Sequence, residues 1–221
     1  MAYDLEEQEQ LDTLKAWWKQ YGNLVTWALI VALAGYAGWV RWNVYKNDTS
    51  MQASQLYEEL QTASQAKDNV KVQRIASDVM DKYASSSYAS MAALTAAKSA
   101  FDANDLKAAK TLLNWVNERG STDEYKVLAK LRLAAVALDE KAYDEGLKWL
   151  AGEFPAEFVG EVADRKADIL VAQNKLAEAR QAYQMALDKL DEKNPLRQLV
   201  QLKFDAIGGA DVKAANHVAA Q

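Results

Sequence analysis

Asn104-Asp105-Leu106-Lys107-Ala108-Ala109, followed by Leu113 and Val116, returns twice further along the chain in altered form. The second copy is Lys141-Ala142-Tyr143-Asp144-Glu145-Gly146, followed by Leu147 and Leu150. The third is Asn174-Lys175-Leu176-Ala177-Glu178-Ala179, followed by Tyr183, Ala186 and Leu187. Val72, Ile75 and Val79 make a fainter copy upstream. Aligning Val72, Leu106, Tyr143 and Leu176 gives spacings of 34, 37 and 33 residues. A period of this length marks a stacked array, because one unit alone cannot bury its apolar face. The units carry small residues where two helices must cross: Ala97, Ala134 and Ala167 at one position, Ala109, Gly146 and Ala179 at another. Leu113, Leu150 and Tyr183 are the large residues that fill the space between neighbours.

Helix–turn–helix units of about 34 residues resemble the tetratricopeptide repeat. The Gly that this repeat carries in its first helix is Ala in all three units. Local signals agree with the units. Gly120 before Ser121-Thr122-Asp123 reads as a helix stop and a new N-cap. Residues 127–138 are apolar almost all round and read as a buried central helix. Residues 152–160, with Phe154, Pro155 and Phe158, read as a longer inter-repeat loop, and Ser85-Ser86-Ser87 as a turn. The expected class is all-α, with a repeat domain over residues 43–207 and a flexible tail over 208–221.

Composition narrows the function. Of 221 residues, 26 are basic and 31 acidic, with a formal charge of −5. No Cys is present and the single His is His217, which removes zinc ribbons, thiol nucleophiles and Ser-His-Asp triads. An acidic pI near 5.1 without a basic tract argues against nucleic acid. Only 9 Gly and 2 Pro argue for helices. No Gly-rich phosphate loop or catalytic constellation is visible, so the chain reads as a non-enzyme with no cofactor and no small-molecule substrate.

Residues 21–40 read YGNLVTWALIVALAGYAGWV, without a charge. Twenty residues rise about 30 Å, the thickness of a hydrocarbon core. Five of the seven Trp lie between Trp17 and Trp42. Trp17 and Trp18 before the run, and Trp39, Arg41 and Trp42 at its far end, form the girdles that membrane interfaces favour. We read a transmembrane helix over residues 21–42 in contact with the lipid bilayer, and an acidic leader over 1–20. A cleaved signal peptide fits less well, because the leader holds five acids against two lysines and the run exceeds an h-region. Orientation stays open, since Lys15 and Lys19 balance Arg41 and Lys46. Ala34 and Gly38 form a small-xxx-small pair suited to helix contact. Residues 47–50 either break the chain or carry one helix through.

By the repeat pattern, the first helices of the units line a partner groove. Its positions are Met91, Leu94, Lys98 and Phe101, then Leu128, Leu131, Ala135 and Leu138, then Glu161, Asp164 and Asp168. An apolar floor suits an extended peptide or a partner helix. The competing reading is that these apolar residues are core. Glu161, Asp164 and Asp168, at i, i+3 and i+7, read either as a solvated acidic face or as a recognition patch.

Several further segments carry a family resemblance. They are Glu6-Glu7-Gln8-Glu9-Gln10-Leu11, Lys15-Ala16-Trp17-Trp18-Lys19, residues 83–89, and residues 129–138 with Tyr143-Asp144. Asp164-Arg165-Lys166-Ala167-Asp168 leading into Leu176-Ala177-Glu178-Ala179-Arg180 completes the set. Over nearly its full length the chain resembles the YfgM-like family, the ancillary subunit of the bacterial SecYEG translocon. The resemblance implies a single-pass type II protein of the bacterial inner membrane, with its N-terminus cytoplasmic and its repeats periplasmic. The implied partners are the SecYEG translocon, a membrane-anchored periplasmic chaperone of the peptidyl-prolyl isomerase type, and translocating polypeptides. The implied role is to help pass translocated proteins to periplasmic chaperones. A structural scaffold or self-associating anchor for envelope complexes, with the leader restraining a stress-response regulator, is the alternative.

Overall fold

The structure is a computed structural model describing residues 2–209; for residues 2–10, 12 and 44–48 it describes the backbone alone. The predicted tail falls almost wholly outside the described residues, as does His217. Among the described residues every regular element is helical. These are α1 (Ala2–Gln65), α2 (Asn69–Lys82), α3 (Ser87–Asp102), α4 (Leu106–Arg119), α5 (Asp123–Asp139), α6 (Tyr143–Trp149), α7 (Val159–Ala172), α8 (Leu176–Lys189) and α9 (Leu196–Ala206). A 3-10 turn, Ala156–Phe158, precedes α7. The chain divides into two units, Met1–Gln52 and Ala53–Gln221, and the division falls inside α1. Residues 47–50 are helical, so the backbone carries one helix through.

The first unit contains the stretch Thr13–Asn43, 31 residues long and apolar enough to cross a membrane. At 1.5 Å per residue it rises about 46 Å. Its large apolar side chains, among them Leu24, Trp27, Leu29 and Val31, are exposed. Trp17 meets Tyr21 with ring centroids 5.7 Å apart, and Tyr36 meets Trp39 at 6.2 Å, both pairs tilted. Ala34 and Gly38 are exposed, and a Cβ on Gly38 would meet nothing within 4 Å.

In the second unit the helices alternate as A and B partners. The end of α1, then α3, α5 and α7 are the A helices; α2, α4, α6 and α8 are the B helices. Each A helix ends the same way. Gln65, Asp102, Asp139 and Ala172 are the last helical residues. Two residues beyond each stands a left-handed residue: Lys67 (φ 55°), Asn104 (60°), Lys141 (59°) and Asn174 (61°). The next N–H then donates to the carbonyl five residues back, as Asp105 N to Ala100 O (2.9 Å) and Lys175 N to Leu170 O (2.8 Å). This is the left-handed C-cap that satisfies terminal carbonyls and reverses the chain.

These turns correct the repeat register. They are 37, 37 and 33 residues apart, so the counterpart of Leu106 is Asn69 and that of Ala109 is Val72. The alignment of Val72 with Leu106 slipped by three residues. Three residues is nearly one helical turn, which keeps an apolar residue on the same face. The small-residue columns hold in the structure. Ala97, Ala134, Ala167, Ala109 and Ala179 are each at most 2% exposed. Gly146 belongs with them: a Cβ there would lie 2.8 Å from Ile169 Cδ1. Only the absence of a side chain lets α6 approach α7 so closely.

One unit departs from the rest. The other B helices have 14 residues and α6 has seven. Where the first two units bury Val79 and Val116, this one has Glu153, which is exposed. Gly152, at φ 96°, turns the chain out before it, and Pro155 follows. A carboxylate does not enter an unpaired apolar column, so the helix stops half-way.

Candidate functional site

The A helices present a groove between α3 and α5. Its floor is Ala97 and Val136, with Leu113 of α4 beneath. Phe101 stands on one wall with 36% of its surface in water. Ala135 is on the other wall, half-buried. The hollow measures about 340 Å³. Charges sit on its rim. Lys98 pairs with Asp102 at 2.5 Å along α3. Arg132 donates from Nη1 to the Leu94 carbonyl at 3.1 Å, tying α5 to α3. Burial lowers the Arg132 pKa from its ordinary value. The groove therefore offers an aromatic ring, an aliphatic floor and a cationic edge, which suits an apolar side chain on a peptide with an acidic neighbour.

The predicted groove residues do not all reach this surface. Leu94 is 5% exposed and Leu131 8%. Leu94 packs in a cluster with Ala93, Leu113 and Leu133, and Leu131 in one with Val127, Ala134 and Ile169. Both side chains point into the array, so they support the groove from behind. Met91, Leu128 and Leu138 are half-buried. Leu128 packs against the cluster of Leu94, and Leu138 against that of Leu131. Lys98 and Phe101 remain at the surface.

The acidic positions are occupied from within the chain. Lys203, on α9, places Nζ 2.9 and 3.1 Å from the two Asp164 oxygens and 3.0 Å from Asp168 Oδ2. The Tyr183 hydroxyl donates to Asp168 Oδ1 at 2.7 Å, and Arg165 reaches Asp168 Oδ2 at 3.4 Å. Asp164 is 4% exposed. Its burial raises its pKa, the Lys203 bond opposes that rise, and the Asp168 charge adds to it. Burial raises Tyr183 as well, helped by its bond to Asp168. Glu161 stands one turn earlier, half-buried. Its i, i+3, i+7 spacing with Asp164 and Asp168 marked the face, but Lys203 lies 35 residues past Asp168 and left no local signal. The face neutralises its charge against α9 and does not stand open to water.

A helical array of this kind, preceded by an exposed apolar helix of membrane length, defines a tetratricopeptide-like repeat protein. Comparison with known proteins agrees. Residues 15–209 match the family model described as tetratricopeptide repeat-like domain. The ancillary SecYEG translocon subunit of Neisseria gonorrhoeae is 33% identical over 211 residues, covering 94% of this chain and 100% of its own. The Haemophilus influenzae subunit of that name is 30% identical over 203 residues, with 86% and 99% coverage. The Escherichia coli K12 subunit is 26% identical over 204 residues, with 90% and 95% coverage. The chain belongs to the family of ancillary SecYEG translocon subunits, the YfgM-like proteins.

Proposed function

We propose that this chain is a non-enzymatic, membrane-tethered interaction module working beside the SecYEG translocon. Its apolar stretch, residues 21–42, crosses the bacterial inner membrane, with Trp17, Trp18, Trp39, Arg41 and Trp42 at the interfaces. The leader, 1–20, lies in the cytoplasm and the repeats, 43–207, in the periplasm. The α3–α5 groove takes up segments of translocated chains and helps pass them to periplasmic chaperones, including one of the membrane-anchored peptidyl-prolyl isomerase type. The observation that carries the reading is the extent of likeness. The N. gonorrhoeae translocon subunit matches 94% of the chain, so the match takes in both the apolar helix and the repeats. The tether gives the groove its use. Holding it near the membrane raises its effective concentration around emerging chains, so weak contacts suffice.

Sidedness is tested with one thiol, since the chain has no Cys. Ala103→Cys suits this better than the adjacent Asn104, whose left-handed φ of 60° disfavours a side chain without its own turn preference. Ala103 is exposed. A membrane-impermeant maleimide is expected to label it once the outer membrane is permeabilised. Labelling only after the inner membrane is broken would place the repeats in the cytoplasm and end the periplasmic reading.

The groove is tested with Phe101→Asp. The side chain is partly exposed, so the domain should stay folded, at a cost of about 1 kcal/mol. Affinity for a permanently unfolded probe, reduced and carboxymethylated α-lactalbumin, should fall about tenfold, the loss of one anchor residue. Unchanged affinity in the folded variant would remove the groove from the function.

A further inference from the structure

The shortened α6 leaves a second cleft, lined by α7, α8 and the loop after α6. It measures about 610 Å³, the larger of the two hollows described. Its floor is apolar: Leu150, Val162, Ala163, Leu170 and Ala182 are each at most 8% exposed. In the first two units the corresponding surface is covered by the second half of the B helix, through Val79 on α2 and Val116 on α4. Here that half-helix is missing. Seven absent residues amount to about 10 Å of helix, or two turns. Phe154 and Phe158 of the loop pack over part of the surface here, and the other units show what covers the rest.

The rim says more about the occupant. Glu153 and Glu178 are exposed at its edge with Lys166. Among the described residues no ion pair joins any of the three. Met185 leans over the opening with 53% of its surface in water. An unbranched thioether at a cleft edge adapts to different side chains. Two uncompensated carboxylates against one amine give the rim a net negative charge.

We propose that this cleft docks a two-turn helix from a partner protein, with small aliphatic residues on its inner face and basic residues at its edge. That helix completes the third unit in trans, taking the place that the second half of α4 takes in the second. The site is separate from the α3–α5 groove and does not depend on it.

The probe is a synthetic helix with the sequence of the second half of α4, residues 110–119, carrying Glu118→Lys and stapled between positions 110 and 114. Its binding to the full-length chain in detergent micelles is read by fluorescence anisotropy. We expect saturable binding, weakened about tenfold or more by Met185→Lys and by Glu178→Lys. Both positions are exposed, so both variants should keep the helical content of the parent. No saturable binding, or binding indifferent to both substitutions, would overturn the inference. A probe displaced by Phe101→Asp instead has bound in the α3–α5 groove, which overturns the inference and leaves the proposed function standing. Two other occupants would also overturn it. Removal of residues 210–221 would raise the probe's affinity if the chain's own end fills the cleft. A dimer in sedimentation that Glu178→Lys dissociates would mean that a second copy does.

Discussion

Leu131→Asp is expected to destabilise the repeat domain strongly, while Phe101→Asp leaves it folded. The two positions were read from sequence as one groove, and the structure separates them by their surroundings. Leu131 is 8% exposed among Val127, Ala134, Leu150, Val162 and Ile169. A carboxylate there would sit among apolar side chains, so it is neutralised or drives the core open. The cost is about 4 kcal/mol or more, a large part of the ~5–15 kcal/mol that holds a domain together. For a domain of this size it lowers the melting temperature by about 10–15 °C. Leu131→Met, which conserves volume, should cost under about 1.5 kcal/mol. Thermal melts followed by circular dichroism on the chain in detergent decide it. A Leu131→Asp chain that melts with the parent would mean that Leu131 faces water and that the core is drawn in the wrong place.

Lys203→Met should produce the second largest loss, and one that acid repairs. Lys203 is the shared cation of Asp164 and Asp168. Removing it leaves the Asp164 carboxylate, 6% exposed at its side chain, beside Asp168, with Arg165 the remaining cation acting on it among the described residues. Breaking such a pair from one side costs about 3 kcal/mol, most of it the penalty of a buried charge left alone. The pH dependence follows from the direction of the Asp164 shift. Burial holds its folded pKa above the ordinary 3.8. The folded state therefore binds more protons than the unfolded one between that value and the folded pKa. Stability from this group is present at low pH and is lost as pH rises through the folded pKa. In the variant the upward shift grows, because the opposing Lys203 bond is gone. Denaturant midpoints should then recover on lowering the pH from 7 towards 4, and Asp164→Asn in the same background should flatten the profile. A variant equally unstable at both pH values would show that the unpaired Asp164 charge is not the source of the loss.

Much of the fold could be read before the structure, and the reason is periodic. A small residue is required at each helix crossing, so Ala97, Ala134 and Ala167 recur at the spacing of the units themselves. The apolar stretch before them is legible because twenty uncharged residues have few other uses. The register was harder. Val72 and Asn69 differ by almost one turn, so hydrophobic pattern alone cannot choose between them. The turns could choose, but Lys67 and Lys141 are not residues that advertise a left-handed conformation, as Asn104 and Asn174 do. The groove was legible only in part. Helical period tells which residues share a face, but not how far a neighbouring helix covers it. Leu94 and Leu131 were lost to the core for that reason, and the Asp164 face to α9. The shortened α6 did leave a mark, in Gly152, Glu153 and Pro155. Its meaning needed the column of Val79 and Val116 beside it, and that column depends on the corrected register.

The half-length α6 also sets where the array is weakest. In a linear array, stability is a sum of each unit's own folding and its coupling to the next. α6 meets α7 far less extensively than α4 meets α5 or α2 meets α3. The cluster spanning this joint has six buried residues, whereas the one inside α7, α8 and α9 has eleven. Cooperativity is therefore divided there. α7, α8 and α9 make a block that opens and closes on its own, at a lower free energy than the whole domain. Amide protons of α7 to α9 would exchange as one group and those of α2 to α5 as another, with Gly146 and Ile169 at the seam.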